Sequence, residues 1–251
     1  MSSEHANANH PHYQAHFFHT MAQQNSSHKL GMWAFLVQEL LFFSGLFMAY
    51  IAMRYFYPET FTEVQERNLL SIPMGFTNTI VLLTSSLTMA LAVREAQLIP
   101  VVENEESKKH RSRMIQMLVI TAVLACVFLV IKYFEYSHKL HVGTLPGNFY
   151  DFAEWPVFRD ENGTILGAIR TDGSVDVTSA PHVFFSLYFV MTGTHGLHVV
   201  IGVGVILWLA LRGKRGEFNC ENHSAVENVG LYWHLVDLIW IFLFPLMYLV
   251  Q

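Results

Sequence analysis

Hydrophobic residues in this chain fall into five long runs separated by polar stretches. The runs cover about Leu30–Phe56, Ile72–Leu98, Met114–Tyr136, His182–Leu211 and Val229–Val250. A helix of about 20 apolar residues crosses the roughly 30 Å hydrocarbon core of a bilayer, and each run reaches that length. The pattern predicts an all-α membrane protein: a bundle of five transmembrane helices over 29–251, preceded by a polar, His-rich tail at 1–28. The runs do not pair into two similar halves. None is broken at its centre by a Gly/Pro pair, as the helices of many transporters are.

Composition supports this reading. The chain has 251 residues, 52% of them hydrophobic and only 14% charged; a soluble domain carries about 25% charged residues. The net charge of −5 is spread over loops, so no nucleic-acid surface is expected. Two cysteines, Cys126 in mid-membrane and Cys220 in a loop, give neither a disulfide framework nor a Cys-based metal spacing. The tail has no apolar stretch of the kind a cleavable signal peptide needs.

Charge in the connecting segments suggests an orientation. Nine of the fifteen Lys and Arg residues lie before the first run, from Arg94 at the end of the second to the start of the third, and between the fourth and fifth. Short basic loops stay cytoplasmic, which puts the N-terminus inside and the C-terminus outside. Residues 137–181 form an outer-face insert too long for a simple turn. It contains the turn signals D-E-N-G (160–163) and T-D-G-S (171–174), flanked by Val, Ile and Thr. These predict a short β-hairpin or a packed loop. Its aromatic residues Phe149, Tyr150, Phe152, Trp155 and Phe158 suggest packing rather than a free spacer.

Ionisable residues inside the runs are the candidates for chemistry, because a charge facing lipid costs several kcal/mol. Glu39 lies in the first run, either as a buried carboxyl that exchanges protons or as a hydrogen-bonded helix contact. The second run carries Thr77, Asn78, Thr79, Thr84, Ser85, Ser86 and Thr88, suited to close packing and interhelical hydrogen bonds. Lys132 and Glu135 are one turn apart at the end of the third run, where they pair with Lys132 snorkelling to the interface. His195 and His198 share a face at i, i+3, and a metal site with His234 is one reading. Hydrogen bonding across the surface made by Gly193, Gly196, Gly202 and Gly204 is the other. His234 and Asp237 are again i, i+3 and should face protein or water. Arg212 opens the basic loop R-G-K-R-G and could attract an anionic lipid headgroup. The tail histidines His5, His10, His12, His16, His19 and His28 suit docking on a partner or collecting protons. Together Glu39, His195, His198, His234 and Asp237 also admit a proton-coupled transporter. With few deep histidines and neither a paired-Cys nor a C-x-x-C-H motif, no redox cofactor is expected on this chain.

Five motifs occur in order: G-M-x-x-F-x-x-x-E-x-x-F-F from Gly31, N-T-x-x-L-L-x-x-S from Asn78, E-Y at Glu135, T-G-x-H-G-L-H-V-x-I-G from Thr192, and Y-W-H-x-V-D-x-x-W-x-F-L from Tyr232. They resemble subunit III of the haem–copper cytochrome c oxidases, in the five-helix bacterial form also seen in quinol oxidases. The resemblance implies a non-catalytic accessory subunit of the bacterial inner membrane that packs on oxidase subunits I and II. It implies bound structural phospholipid in a cleft between helices 1–2 and 3–5, with haems and copper held in partner subunits. The electron donor, cytochrome c or quinol, is read by those other subunits. Glu39 matches the carbodiimide-reactive carboxyl of the family, and Arg212 a lipid-headgroup arginine. The family subunit sustains proton uptake and protects the catalytic subunit. The outer insert departs from the usual pattern and is expected to contact cytochrome c, subunit II or a larger respiratory supercomplex.

Overall fold

The structure is a computed structural model that describes residues 20–66, 70–145, 149–153, 155–169 and 173–249. The tail histidines His5, His10, His12, His16 and His19, the basic residues Arg67 and Arg170, Thr171 and Asp172 of the second turn signal, and Val250 lie outside the described residues. Helices are α1 (Met21–Phe56), α2 (Pro58–Glu66), α3 (Ile72–Gln97), α4 (Glu105–His141), α5 (Pro181–Lys214) and α6 (Ser224–Phe244). Five of these, all but α2, are long and apolar enough to cross a membrane. The chain is thus an all-α multi-pass membrane protein.

Two helices extend furthest beyond their apolar runs. α1 begins nine residues before Leu30, where the Thr20 hydroxyl accepts the Gln23 N–H at 3.1 Å. It stops at Tyr57, ahead of Pro58, because the residue before a proline is pushed out of helical geometry. α4 has 37 residues, about 55 Å at 1.5 Å per residue, so it projects beyond the bilayer. Its start is set by a reciprocal cap: Asn104 Oδ1 accepts the Ser107 N–H at 2.8 Å and Ser107 Oγ accepts the Asn104 N–H at 3.1 Å. Glu105 and Glu106 in its first turn and His138, Lys139 and His141 in its last complement the helix dipole. Polar ends of this kind are invisible to a search for apolar runs. The last segment differs in another way. It is not one regular helix to its end, because Pro245, which has no N–H to donate, begins a π-helical turn at Pro245–Leu249.

α3, α4, α5 and α6 pack into a four-helix bundle, with the α3–α4 pair the most extensive contact. α1 stands apart and touches mainly α6, with a smaller contact to α5. This corrects the expected division of helices 1–2 from helices 3–5: the second membrane helix belongs to the main bundle and only the first is peripheral. α3 and α6 are antiparallel and cross-linked. The Trp233 Nε1–H donates to Ser85 Oγ at 3.1 Å and the Trp240 Nε1–H to Thr79 Oγ1 at 3.1 Å. Thr88 and Thr121 join α3 to α4 at 2.7 Å. Thr77 and Thr84 instead donate to carbonyls of their own helix.

The glycines of α5 do not form one packing surface. A Cβ on Gly202 would come within 2.6 Å of the Trp233 ring, whereas Gly196 and Gly204 face open space. Only Gly202 brings α5 and α6 into close approach.

At the far end from the basic loops, the insert folds into a three-stranded antiparallel sheet, β1 (Val157–Arg159), β2 (Ile165–Ile169) and β3 (Val175–Asp176), one strand more than a hairpin. The first turn signal joins β1 to β2. Asp160 Oδ1 accepts the N–H of Asn162 at 3.0 Å and of Thr164 at 2.7 Å, and Gly163 takes a φ of +80°. Tyr150, Phe152 and Trp155 are buried, the first two against Phe185 of α5. Phe149 is instead exposed. α2 adds a lid on the same side, where Phe61 stacks edge-on with Tyr50 and Phe184.

Replacing Gly202 with alanine should overpack the α5–α6 seam at a cost of about 1–3 kcal/mol. The change Gly204→Ala meets only open space and should be neutral or slightly stabilising. Thermal unfolding of the two variants in the same detergent checks the contrast.

Candidate functional site

Polar side chains within the membrane-spanning helices gather in three places. The first ties α1 to α5. Glu39 Oε2 lies 3.0 Å from His198 Nε2, and His198 Nδ1 is 2.8 Å from the Thr194 carbonyl oxygen. A carbonyl only accepts, so Nδ1 carries a proton. The Glu39–His198 contact then holds one further proton, either on the carboxyl or on Nε2, and the pair has no net charge either way. Phe43 covers the imidazole edge-on at 5.3 Å between ring centres. The Tyr232 hydroxyl donates to the His198 carbonyl at 2.8 Å and brings α6 to the same place.

The second place lies toward the sheet end. Glu135 Oε2 accepts from Lys132 Nζ at 2.9 Å, and Oε1 accepts from the hydroxyls of Tyr188 at 2.8 Å and Tyr248 at 2.6 Å. Lys132 Nζ also donates to Tyr248 at 2.7 Å and sits 4.7 Å from the centre of the Trp240 ring. Lys132 therefore does not snorkel. Its side chain is only 9% exposed, because Tyr188 of α5 and Tyr248 of the π-helical turn enclose it with Glu135. One carboxylate thus joins α4, α5 and the chain's last turn. Tyr188 and Tyr248 are 60 residues apart, a distance over which sequence gives no pairing signal.

The third place lies between α3 and α6. His234 Nδ1 is 2.7 Å from Ser86 Oγ. Asp237, one turn further along α6, is buried, with 3% exposure. Glu39 and Asp237 lie at matching depth. The two helices run the same way, with Lys29–Glu227 paired at 3.3 Å near one end and Tyr50 OH donating to the Leu246 carbonyl at 2.7 Å near the other. Each carboxyl is ten residues along its helix from a member of the Lys29–Glu227 pair, about 15 Å at helical rise.

His195 and His198, though one turn apart, meet different partners. His195 is fully buried between Phe128 and Trp240, at 5.6 and 5.2 Å, while His198 turns to α1. His234 turns to α3. The three histidines that a metal reading would have joined are thus directed to different neighbours. No cluster of three or more His, Cys, Asp or Glu able to hold a metal occurs among the described residues. At the basic end, Arg212 Nε donates to Glu217 at 2.5 Å and its guanidinium lies over Trp208 and Phe218. It lines a cavity of about 610 Å³ with Arg215, His28, Asn219 and Asn222. Between α4 and α5 runs an apolar groove of about 380 Å³, lined by Val119, Val123, Cys126, Val127 and Leu207 among others.

Glu39, His198, Lys132 and Glu135 are thus engaged in ties that join the membrane helices. The family model described as cytochrome c oxidase subunit III matches residues 11–143 and 171–251. The chain belongs to that family, the subunit III of haem–copper oxidases. It is similar to "Cytochrome c oxidase subunit 3" of Thermostichus vulcanus, with 32% identity over 88% of this chain and 86% of that protein. It is also similar to "Cytochrome c oxidase subunit 3" of Bacillus sp. strain PS3, with 29% identity over 88% and 84%. "Quinol oxidase subunit 3" of Bacillus spizizenii is 27% identical over 99% of this chain and 96% of its own length. Membership implies assembly with other oxidase subunits. The unmatched residues 144–170 contain β1 and β2, whereas β3 falls within the matched range.

Breaking the buried pair by Lys132→Met or Glu135→Leu alone should cost about 3–5 kcal/mol, because each leaves a charge without its partner. The double variant should recover part of that loss. Retention of the folded chain after heating in detergent, measured for all three, checks the coupling.

Proposed function

We propose that the chain is subunit III of a proton-pumping terminal oxidase, specifically a cytochrome c oxidase, and that it serves aerobic respiration without a redox centre of its own. The family match over nearly all of the chain outside the sheet carries this reading. In it, subunits I and II are the immediate partners, haems and copper reside in them, and cytochrome c delivers electrons through them. The chain lies in the bacterial inner membrane with its basic loops and N-terminus cytoplasmic, its C-terminus and sheet outside. A quinol oxidase is the second reading, and the name of the Bacillus spizizenii relative favours it.

Its work in the complex is to bind phospholipid and to support proton uptake and the lifetime of the catalytic subunit. Arg212 and Arg215 at the mouth of the basic-end cavity suit an anionic headgroup. The groove between α4 and α5 suits an acyl chain. The long exposed apolar face of α1, including Trp33, Leu41, Met48 and Tyr55, suits a neighbouring subunit or lipid. The sheet suits an outer-face contact with subunit II, the electron donor or a larger respiratory supercomplex.

Purification through a tag on this chain in mild detergent, followed by a reduced-minus-oxidised absorption spectrum, tests the reading. Haem bands and a large haem-binding partner are expected, and donor assays with reduced cytochrome c and a quinol then separate the two oxidases. A colourless protein without partners would sink both. Glu39→Gln should leave assembly intact, because a carboxamide can still bond His198. It should shorten the lifetime of the enzyme during turnover, or slow proton uptake, more than it lowers the initial rate of oxygen consumption. Loss of assembly in that variant would make Glu39 a structural residue instead.

A further inference from the structure

The contact between His234 and Ser86 has a neighbour that the packing of α3 and α6 does not explain. Asp237 is 3% exposed, and among the described residues its carboxyl has no hydrogen-bonding neighbour apart from the Ser86 hydroxyl. The Ser86 hydroxyl lies against it but is engaged with His234 Nδ1. Buried polar atoms in proteins almost always have partners, and exceptions need an account. One turn back along α6, at His234, is a pocket of about 420 Å³ between α1, α3 and α6. It starts at the Lys29–Glu227 pair, passes Trp33 and Ala90, and has His234 in its wall. It is large and polar enough at its mouth to hold water. Toward the sheet end the space between α3 and α6 is closed. Leu82 and Leu243 are buried there, Trp240 donates to Thr79, and Phe244 fills the place where a Cβ on Gly75 would stand.

We propose that the pocket, His234, Ser86 and Asp237 form a proton-exchange site that opens to the membrane face bearing Lys29–Glu227 and ends blind at Asp237. With Nδ1 on Ser86, Nε2 is the nitrogen left to meet the pocket. A proton from pocket water adds to Nε2. The Nδ1 proton passes to Ser86 Oγ, and the serine's own proton passes to the Asp237 carboxylate. Release reverses each step, so one proton is stored and nothing is oxidised or reduced. A serine hydroxyl can serve because it both donates and accepts and its hydrogen rotates freely. Other ionisable groups are placed outside this line. Lys132 of α4 and His195 of α5 lie against the Trp240 ring, one turn further along α6. Glu39 of α1 is at matching depth but engaged with His198. None forms an ion pair with Asp237 among the described residues.

The test is infrared spectroscopy of the tag-purified native complex during transfer from H₂O to D₂O, following the C=O stretch of protonated carboxyls. One exchanging band should vanish in Asp237→Asn and persist, shifted, in Asp237→Glu. In Ser86→Ala the band should remain but exchange more slowly by about a hundredfold, the usual worth of a positioned proton-transfer group. Ala90→Phe, which fills the pocket without touching the relay, should slow it too. A spectrum unchanged by Asp237→Asn, or exchange unaffected by both Ser86→Ala and Ala90→Phe, would overturn the proposal. Should Asp237→Asn fail to assemble, the exchange kinetics of the other two variants decide. A missing haem spectrum would reject the oxidase reading while leaving the carboxyl band measurable.

Discussion

Lipid tails are as apolar as leucine, so burial of apolar surface gives membrane helices little reason to prefer one another over the bilayer. Hydrogen bonds and ion pairs between helices therefore carry more of the specificity here than in a soluble bundle. The placement of α1 shows this most directly. Its apolar surface is largely exposed, and it is held by polar ties at three depths: Lys29–Glu227, Glu39–His198 and Tyr50 to the Leu246 carbonyl. The middle tie is deepest in the membrane and reaches a different helix from the other two. It fixes the rotation of α1 as well as its height.

The main bundle uses the same device with different chemistry. Indole N–H groups from α6 reach hydroxyls of α3, and two threonines bridge α3 to α4. At the sheet end Glu135 collects Lys132, Tyr188 and Tyr248. That arrangement depends on the π-helical turn after Pro245, which carries Tyr248. A proline that interrupts regular hydrogen bonding thus coincides with the place where an enclosed lysine and glutamate find their third and fourth partners. Lys132 and Glu135 are thus satisfied by each other and by the two tyrosine hydroxyls.

Two further features stand out within the fold. The sheet of residues 157–176 lies largely in the stretch that the family model leaves unmatched, yet it is anchored through Tyr150 and Phe152 to Phe185 of α5. It is a built part of the outer surface, and its exposed Phe149, Phe158 and Val177 leave apolar area available for contact. The other is the separation of the two mid-membrane carboxyls. Glu39 is paired with His198 and covered, whereas Asp237 has no such ion pair among the described residues.

The sequence by itself determined the five membrane helices, because a run of about 20 apolar residues has few other stable forms. It also marked Glu39, Glu135, His195, His198, His234 and Asp237 as residues that must face protein, since lipid exposure of each is costly. The first turn of the sheet was readable as well, because D-E-N-G supplies both the Asx bonds and the glycine that the turn requires. Only the tertiary structure decided which polar residues meet. Glu39 and His198 are 159 residues apart and His234 and Ser86 are 148 apart, and helical periodicity says which face a residue occupies but not which helix lies opposite it. For the same reason two histidines at i, i+3 read as one site and prove to be two. The enclosure of Lys132, the peripheral place of α1 and the third strand likewise follow from contacts distant in sequence, which no local pattern encodes.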